Sequence, residues 1–454
     1  MNPNEPVNIG TDRQLFVDDA WVADSSGVAR RMHEPVRREV AITIDRPWEV
    51  GSIGCLSVIQ DGGVFRAWYR CDYQKPEHVG NPRYTAYAES DDGVHWRKPE
   101  LGHLDFQGSR DNNLVWMGPA SDLSPFLDEG PGATEATRYK AVVRERDQVF
   151  ALASPDGIRW GFLQGEPIFD DGPFDTFSVP FWDEWTGRYA FYTRGKAGVG
   201  GTFLGGVRWI RWATSENFID WSPLESIQTG VEPAEHLYTC AAVRYDRAPG
   251  TYLMFPSRFV PERKPDPDWP HGSGVNDIVF MSSRDGLHFD RSFNEAFIRP
   301  GTDANNWHER GLYAEVGLLQ TSREELSLYG REGGKVPSAS FRRFTLRTDG
   351  FVSVNAGFSG GEFTTRPLIF DGSELELNYS TSAVGSVQVE VQDGEGRPVP
   401  GFSLAESLQM FGDEIDGVFR WNAGGDLSGL AGSVVSLRFV LKDADLYAFR
   451  FRNG

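Results

Sequence analysis

The chain has 454 residues, a formal net charge of −20, 13% aromatic residues, 51 Gly, 27 Pro and 3 Cys. That charge argues against a nucleic-acid partner, because phosphate binding needs a basic face, and no apolar run approaches a membrane span. An odd, sparse cysteine count (Cys55, Cys71, Cys240) argues against a disulfide framework, and none of the three sits in a metal-ligand spacing. Rich aromatics with abundant turn formers predict an all-β protein. Residues 1–13 are polar and mixed, without the apolar core of a secretion signal, so a cytoplasmic protein is expected.

In chain order, residues 1–47 read as a lead-in that packs on the next domain. Within it, residues 15–22 predict a short strand with an acidic pair, Asp18 and Asp19, that closes or covers a ring. Residues 55–60, the turn Asp61-Gly62-Gly63 and residues 64–70 read as strand, hairpin, strand. Residues 113–116 and 138–143 open a second sheet around a long loop over 118–137. Residues 178–182 and 189–194 flank a turn at Thr186-Gly187, and residues 238–243 and 252–255 flank one at Pro249-Gly250. The Pro-rich stretch 261–274 is an inserted rim or lid loop. Residues 312–319, 325–329 and 341–346 supply a fifth set of strands.

A box recurs through these segments. It reads Ser90-Asp91-Asp92-Gly93-Val94-His95-Trp96, then Ser154-Pro155-Asp156-Gly157-Ile158-Arg159-Trp160, then Ser215-Glu216-Asn217-Phe218-Ile219-Asp220-Trp221, then Ser283-Arg284-Asp285-Gly286-Leu287-His288-Phe289. A worn fifth copy is Arg347-Thr348-Asp349-Gly350-Phe351. Asp-Gly supplies a tight turn, Ser bonds back to the loop, and the closing aromatic packs into the sheet. Five near-equal repeats of blade length predict a five-bladed β-propeller over 48–355. After about residue 356 the box stops. Val387, Val389 and Val391, then Leu437, Phe439 and Leu441, alternate with polar residues, which predicts a β-sandwich over 356–454.

In a propeller, ligands meet the ends of the innermost strands. Glu49, Asp175 and Glu235 each stand just ahead of a predicted inner strand, and converging carboxylates are what glycosidic cleavage needs, one protonated and one ionised. Arg70, Arg194 and Arg258 end second strands and are expected to ring the same funnel. Such a ring suits an acidic sugar, since Arg pairs carboxylates bidentately. Trp48 is a candidate sugar-stacking ring, and His236, Trp307, His308 and Glu309 are further candidate contacts. Glu315, close behind, is a candidate replacement for one of the three acids. No cofactor is implied, and Ca2+ in the channel has no supporting ligand motif.

The pattern resembles the propeller glycoside hydrolases of the family 32, 43, 62, 68 and 130 type. Trp48-Glu49, Asp61-Gly62-Gly63 with Trp68-Tyr69, and Phe174-Asp175 with Phe181-Trp182 and Thr186-Gly187-Arg188-Tyr189 are similar to the family 32 layout. The resemblance implies Glu49 as nucleophile or base, Asp175 as transition-state stabiliser and Glu235 as general acid. Glu in place of the first Asp, and His236 after Glu235, depart from it. The expectation is an exo-acting glycosidase of a bacterial branch, releasing a terminal sugar from an oligosaccharide or glycoconjugate. The rival readings are a non-catalytic carbohydrate-binding propeller, a glycoside phosphorylase and a sialidase-like enzyme. The sugar and the oligomeric state are left open.

Overall fold

The computed structural model describes residues 5–49, 51–73, 83–118, 120–170, 172–174, 176–197, 206–230, 235–264, 268, 273–334 and 336–454, the side chains of Tyr73, Lys196 and Ala197 excepted. Among these residues every extended element is a strand, and the helical pieces are three-residue 3-10 turns. The chain divides into two compact units, one of Pro35–Arg244 with Tyr252–Thr345, the other of Met1–Glu34, Tyr245–Thr251 and Leu346–Gly454.

The larger unit contains five antiparallel blades arranged as a propeller. The first has Gly51–Asp61, Val64–Tyr73, Arg83–Ser90 and Leu114–Met117, from the inside outward. The second has Ser121–Leu127, Tyr139–Glu145, Gln148–Ser154 and Gly161–Phe162, and the third Val179–Asp183, Arg188–Ala197, Val207–Ser215 and Glu225–Ser226. The fourth is broken into two small sheets, His236–Leu237 with Ser257–Val260 and Val275–Ile278, and Ala242–Arg244 with Tyr252–Met254, Met281–Ser283 and Phe289–Asp290. The fifth has Leu312–Gln320, Glu325–Glu332 and Ser340–Arg347, and its outermost strand is Val36–Ile42, from the start of the chain. Successive inner strands are neighbours, and the fifth returns to the first through a parallel bridge from Val316 to Ser57.

Two sequence readings shift here. Residues 113–116 are the outermost strand of the first blade, and the inner strand of the second lies inside the supposed loop, at Ser121–Leu127. Pro125 hid it, since proline cannot donate to a ladder. An inner strand is the edge of its sheet, so the missing N–H faces no partner strand, and Pro180 sits in the third inner strand for the same reason. Closure falls to Val36–Ile42, whereas Phe16 and Trp21 join the core of the smaller unit.

The boxes end the third strands. Ser90 Oγ accepts from Gly93 N at 2.9 Å, and Asp92 Oδ1 accepts from Val94 N and His95 N at 2.8 Å. Ser154 with Asp156 and Ser283 with Asp285 repeat this. The box glycines have positive φ, 71° at Gly93, 74° at Gly157 and 80° at Gly286. Phe218 takes φ 67° in the third copy, accepting the strain of a left-handed residue while its ring is fully buried between the second and third blades. Three of the boxes also bind the neighbouring blade. The carbonyl of Gly93 accepts from Tyr329 of the fifth blade at 2.5 Å, that of Gly157 from Trp68 of the first at 2.6 Å, and that of Gly286 from Tyr192 of the third at 2.6 Å. Between blades lie apolar wedges, such as Trp68 and Tyr87 against Tyr139 and Leu152. Each large buried ring there contributes roughly 1.5–3 kcal/mol.

In the smaller unit the long strands Glu374–Asp393 and Val435–Arg452 pair antiparallel, and a register break between Thr381 and Ser386 divides them into arms. Val387, Val389, Val391, Leu437, Phe439, Leu441, Phe449 and Phe451 are buried in one core with Phe16 and Phe363, as the alternation requires.

Candidate functional site

The inner strands are not regular where they reach the hub. Cys55, Asp122 and Ala241 have φ of 53°, 63° and 43°. Registers slip between Gly54 and Ser57, between Ser121 and Ser124, and between Ala314 and Leu318. Such bulges re-aim side chains. Here they surround a cavity of about 110 Å3 lined by Cys55, Arg70, Asp72, Arg83, Arg144, Thr176, Phe177, Tyr238, Arg310, Tyr313 and Arg331.

Asp122 anchors it from beneath. Arg70 pairs with one carboxylate oxygen, and Arg144 donates to the other at 2.6 and 3.0 Å. Burial disfavours the charged form of Asp122, but Arg70 and Arg144 outweigh it and hold the carboxyl well below its ordinary range. Cys55 Sγ donates to Asp122 at 3.2 Å, and burial pushes that thiol well up, so it is no nucleophile. Asp72 lies 3.0 Å from Arg70 Nε and 3.5 Å from Arg83 Nε.

Glu315 is the second hub acid. Its side chain is fully buried; Oε2 accepts from Leu56 N at 2.9 Å, and among the described residues Oε1 has no hydrogen-bond partner, with Arg331 Nε 3.9 Å away. Burial raises its pKa to about 7 against the pull of Arg331. Arg331 is itself fixed by the Ile53 carbonyl at 2.6 Å and stacks 4.3 Å over the Tyr313 ring. The hub therefore holds one carboxyl pushed up by burial beside one held down by two arginines.

The sequence-predicted residues scatter. Arg70 lines the cavity. Arg194 is buried with its guanidinium 5.0 Å over the Tyr238 ring, next to it. Glu49 does not reach the hub. Its turn folds back under the first blade, where the carboxylate accepts from Asp45 N and Arg46 N at 2.9 Å, from Tyr69 Oη at 2.6 Å and from Lys98 Nζ at 2.8 Å. Trp48 is buried, donates to Asn113 at 2.9 Å and meets Phe106 edge-on, so it presents no face to a sugar. Glu235 lies in a separate outer pocket with Arg258, Asp277 and Trp307. It pairs with Arg291 and, at 3.4 Å, with Arg258, which also grips Asp277 at 2.6 and 2.8 Å. His236 Nδ1 accepts from Arg208 N at 3.2 Å. His308 is buried against the Glu309 carbonyl, and Glu309 lies 3.8 Å from Arg310. Asp175 lies outside the described residues, as do 265–267 and 269–272 of the Pro-rich loop. The expected convergence of Glu49 with Glu235 is therefore corrected, because local turn donors and Lys98 hold the first and two arginines hold the second. Asp72, Arg83, Asp122, Arg144, Tyr313 and Arg331 were not singled out. The signal for Asp122 was a carboxylate near the start of an inner strand, concealed by the Pro125 misreading.

No family model matches the chain. Two curated relatives from Mycobacterium tuberculosis, the uncharacterized proteins Rv1502 (strain H37Rv) and MT1551 (strain CDC 1551), are 31% and 46% identical over 117 residues. That segment is 26% of this chain and 36% of each relative, so the chain spans about a third of their length. Similar solved structures include an N-acetylgalactosamine deacetylase from F. plautii bound to blood group B trisaccharide (TM-score 0.49, 11% identity, 72% of this chain and 97% of that one). Another is a glycoside hydrolase (TM-score 0.47, 14% identity, 69% and 92%). A putative glycoside hydrolase from Bacteroides ovatus is a third (TM-score 0.45, 15% identity, 69% and 97%).

Proposed function

We propose that the chain is a carbohydrate-active enzyme that cleaves a terminal glycosidic bond at the hub cavity. Glu315 is the general acid, and Asp72, facing the cavity, is the nucleophile or base. Asp122 orients Arg70 and Arg144. Asp175, next in sequence to the cavity residue Thr176, is retained from the sequence as the transition-state stabiliser.

The reading rests on Glu315. A glycosidase acid must carry its proton at working pH and release it to the leaving oxygen. Burial at the hub gives Glu315 a pKa of about 7, and its unpartnered oxygen leaves the proton position uncommitted. A small seat among the inner strands accepts a chain end more readily than the middle of a chain and so favours exo attack.

Aryl glycosides of neutral and acidic sugars, assayed with and without phosphate, test this. Turnover should fall at least a hundredfold in Glu315→Gln, the usual order for a lost acid catalyst, and survive in Glu49→Gln protein that remains folded. Full activity in Glu315→Gln refutes the assignment, and binding of sugars without turnover of any glycoside favours the lectin-like alternative.

A further inference from the structure

We infer that the hub cavity is an oxyanion subsite, so that the group seated there carries a negative charge. The ligand is either a sugar bearing a carboxylate or inorganic phosphate brought in beside the sugar. The inference deepens the proposed function and rests on the same cavity being the substrate seat.

Charge comes first. In a chain of net charge −20, five of the eleven cavity-lining residues are arginines, and one, Asp72, is a carboxylate. Asp122 beneath is already shared by Arg70 and Arg144. Outside the lining, Glu315 and Glu309 stand 3.9 and 3.8 Å from Arg331 and Arg310, both long ion pairs. The second observation is independent of charge. Tyr313 is 4% exposed and lines the cavity, and among the described residues its hydroxyl has no hydrogen-bond partner. A buried hydroxyl left unmade costs about 1–3 kcal/mol, and buried polar groups are otherwise almost always satisfied. Burial and the nearby Tyr238 raise its pKa well above the ordinary value, so it is a donor throughout the working range. A neutral donor among guanidinium groups in a small polar space matches an anion's several acceptor oxygens. A neutral sugar hydroxyl would supply none of the ionic contacts that these guanidinium groups can make.

Arg83 is the probe of choice, because its side chain is 42% exposed and its loss leaves the core intact. Binding of sodium glucuronate, glucose and inorganic phosphate to the whole chain is measured by calorimetry at low ionic strength, for wild type, Arg83→Gln and Tyr313→Phe. Glucuronate binding without glucose binding identifies a substrate-borne carboxylate. Phosphate binding without glucuronate binding identifies free phosphate. In either case each variant should weaken the anion by about tenfold or more, as expected for a lost charge-assisted contact. The inference is overturned if neither anion binds at millimolar concentration, if glucose binds as tightly as glucuronate, or if both variants bind as wild type does. Glu315→Gln separates the two readings: it should keep anion affinity while losing turnover. Anion binding without glycoside turnover would sink the enzyme reading alone, and Glu315-dependent turnover without anion binding would sink the subsite alone.

Discussion

Gly157→Ala tests whether the repeated boxes join the blades. Gly157 has φ 74°, and a Cβ there would stand 2.7 Å from the Trp68 ring. The backbone cost of a left-handed alanine is about 1–2 kcal/mol. Overpacking against a ring buried on every side adds about 1–3 kcal/mol. If the chain relaxes by moving the turn, the 2.6 Å bond from Trp68 Nε1 to the Gly157 carbonyl goes as well, about another 1 kcal/mol. The sum is about 3–6 kcal/mol. Gly62→Ala is the matched control. It has φ 59° in a hairpin of the same blade as Trp68, with no atom within 4 Å of an added Cβ, so only the backbone cost of about 1–2 kcal/mol applies. Urea unfolding of both variants, followed by tryptophan fluorescence and compared at equal slope, gives the difference. Equal destabilisation by the two alanines would refute the joining role of the box and leave it an ordinary turn.

Turnover should decline as pH rises through about 7, where Glu315 loses its proton, and this limb should vanish in whatever residual activity Glu315→Gln retains. The same raised pKa predicts stability that is greatest below the unfolded carboxyl value of 4.5 and falls as pH rises toward about 7; pH-dependent calorimetry of Glu315→Gln, in which that slope disappears, checks it. Glu49→Gln breaks a buried pair with Lys98, both side chains at most 8% exposed, and should cost about 3–5 kcal/mol in chemical unfolding without changing kcat in folded protein. In the smaller unit Asp349 is fully buried, and Arg13 and Arg247 outweigh that burial to hold its pKa down. Its contribution is present above the ordinary value of 3.8 and is lost as pH falls below it, so Asp349→Asn should be less stable at neutral pH and less sensitive to acid in thermal melts.

What could be read from the sequence was local. The boxes carry their geometry within seven residues, so the repeat, the turn chemistry and the blade length were legible. Alternation at Val387–Val389–Val391 depends on nothing beyond one strand, and it marked a real core. Arg70 was legible because it lies in the second strand of a hairpin whose two strands were correctly paired. Glu315 was singled out only as a replacement for another acid, and Asp122 not at all, because both sit beside bulges, which shift side-chain direction by one residue and leave no mark in composition. Glu49 misled for the opposite reason. An acid ahead of an inner strand satisfies the pattern whether it points to the axis or accepts from its own turn, and only Lys98, brought in from beyond the first box, decides between them.

The chain as a whole is strongly acidic, yet the lining of its hub cavity is rich in arginine, and physics favours the lining. Screening at physiological salt acts over about 8 Å, so acids elsewhere in the chain reach the cavity weakly, while its five arginines lie within direct reach of any group seated there. Buried guanidinium groups are costly unless paired. Asp72 and Asp122 supply part of that pairing in the structure, and an incoming oxyanion supplies more. Such a ligand adds stability only by what it does for those cations. It follows that glucuronate or phosphate should raise the melting temperature of the larger unit, and that added salt should weaken this effect far less than it weakens ion pairs at exposed sites such as Arg397 with Glu395. A salt dependence as steep as that of a surface pair would mean that the anion sits outside the hub.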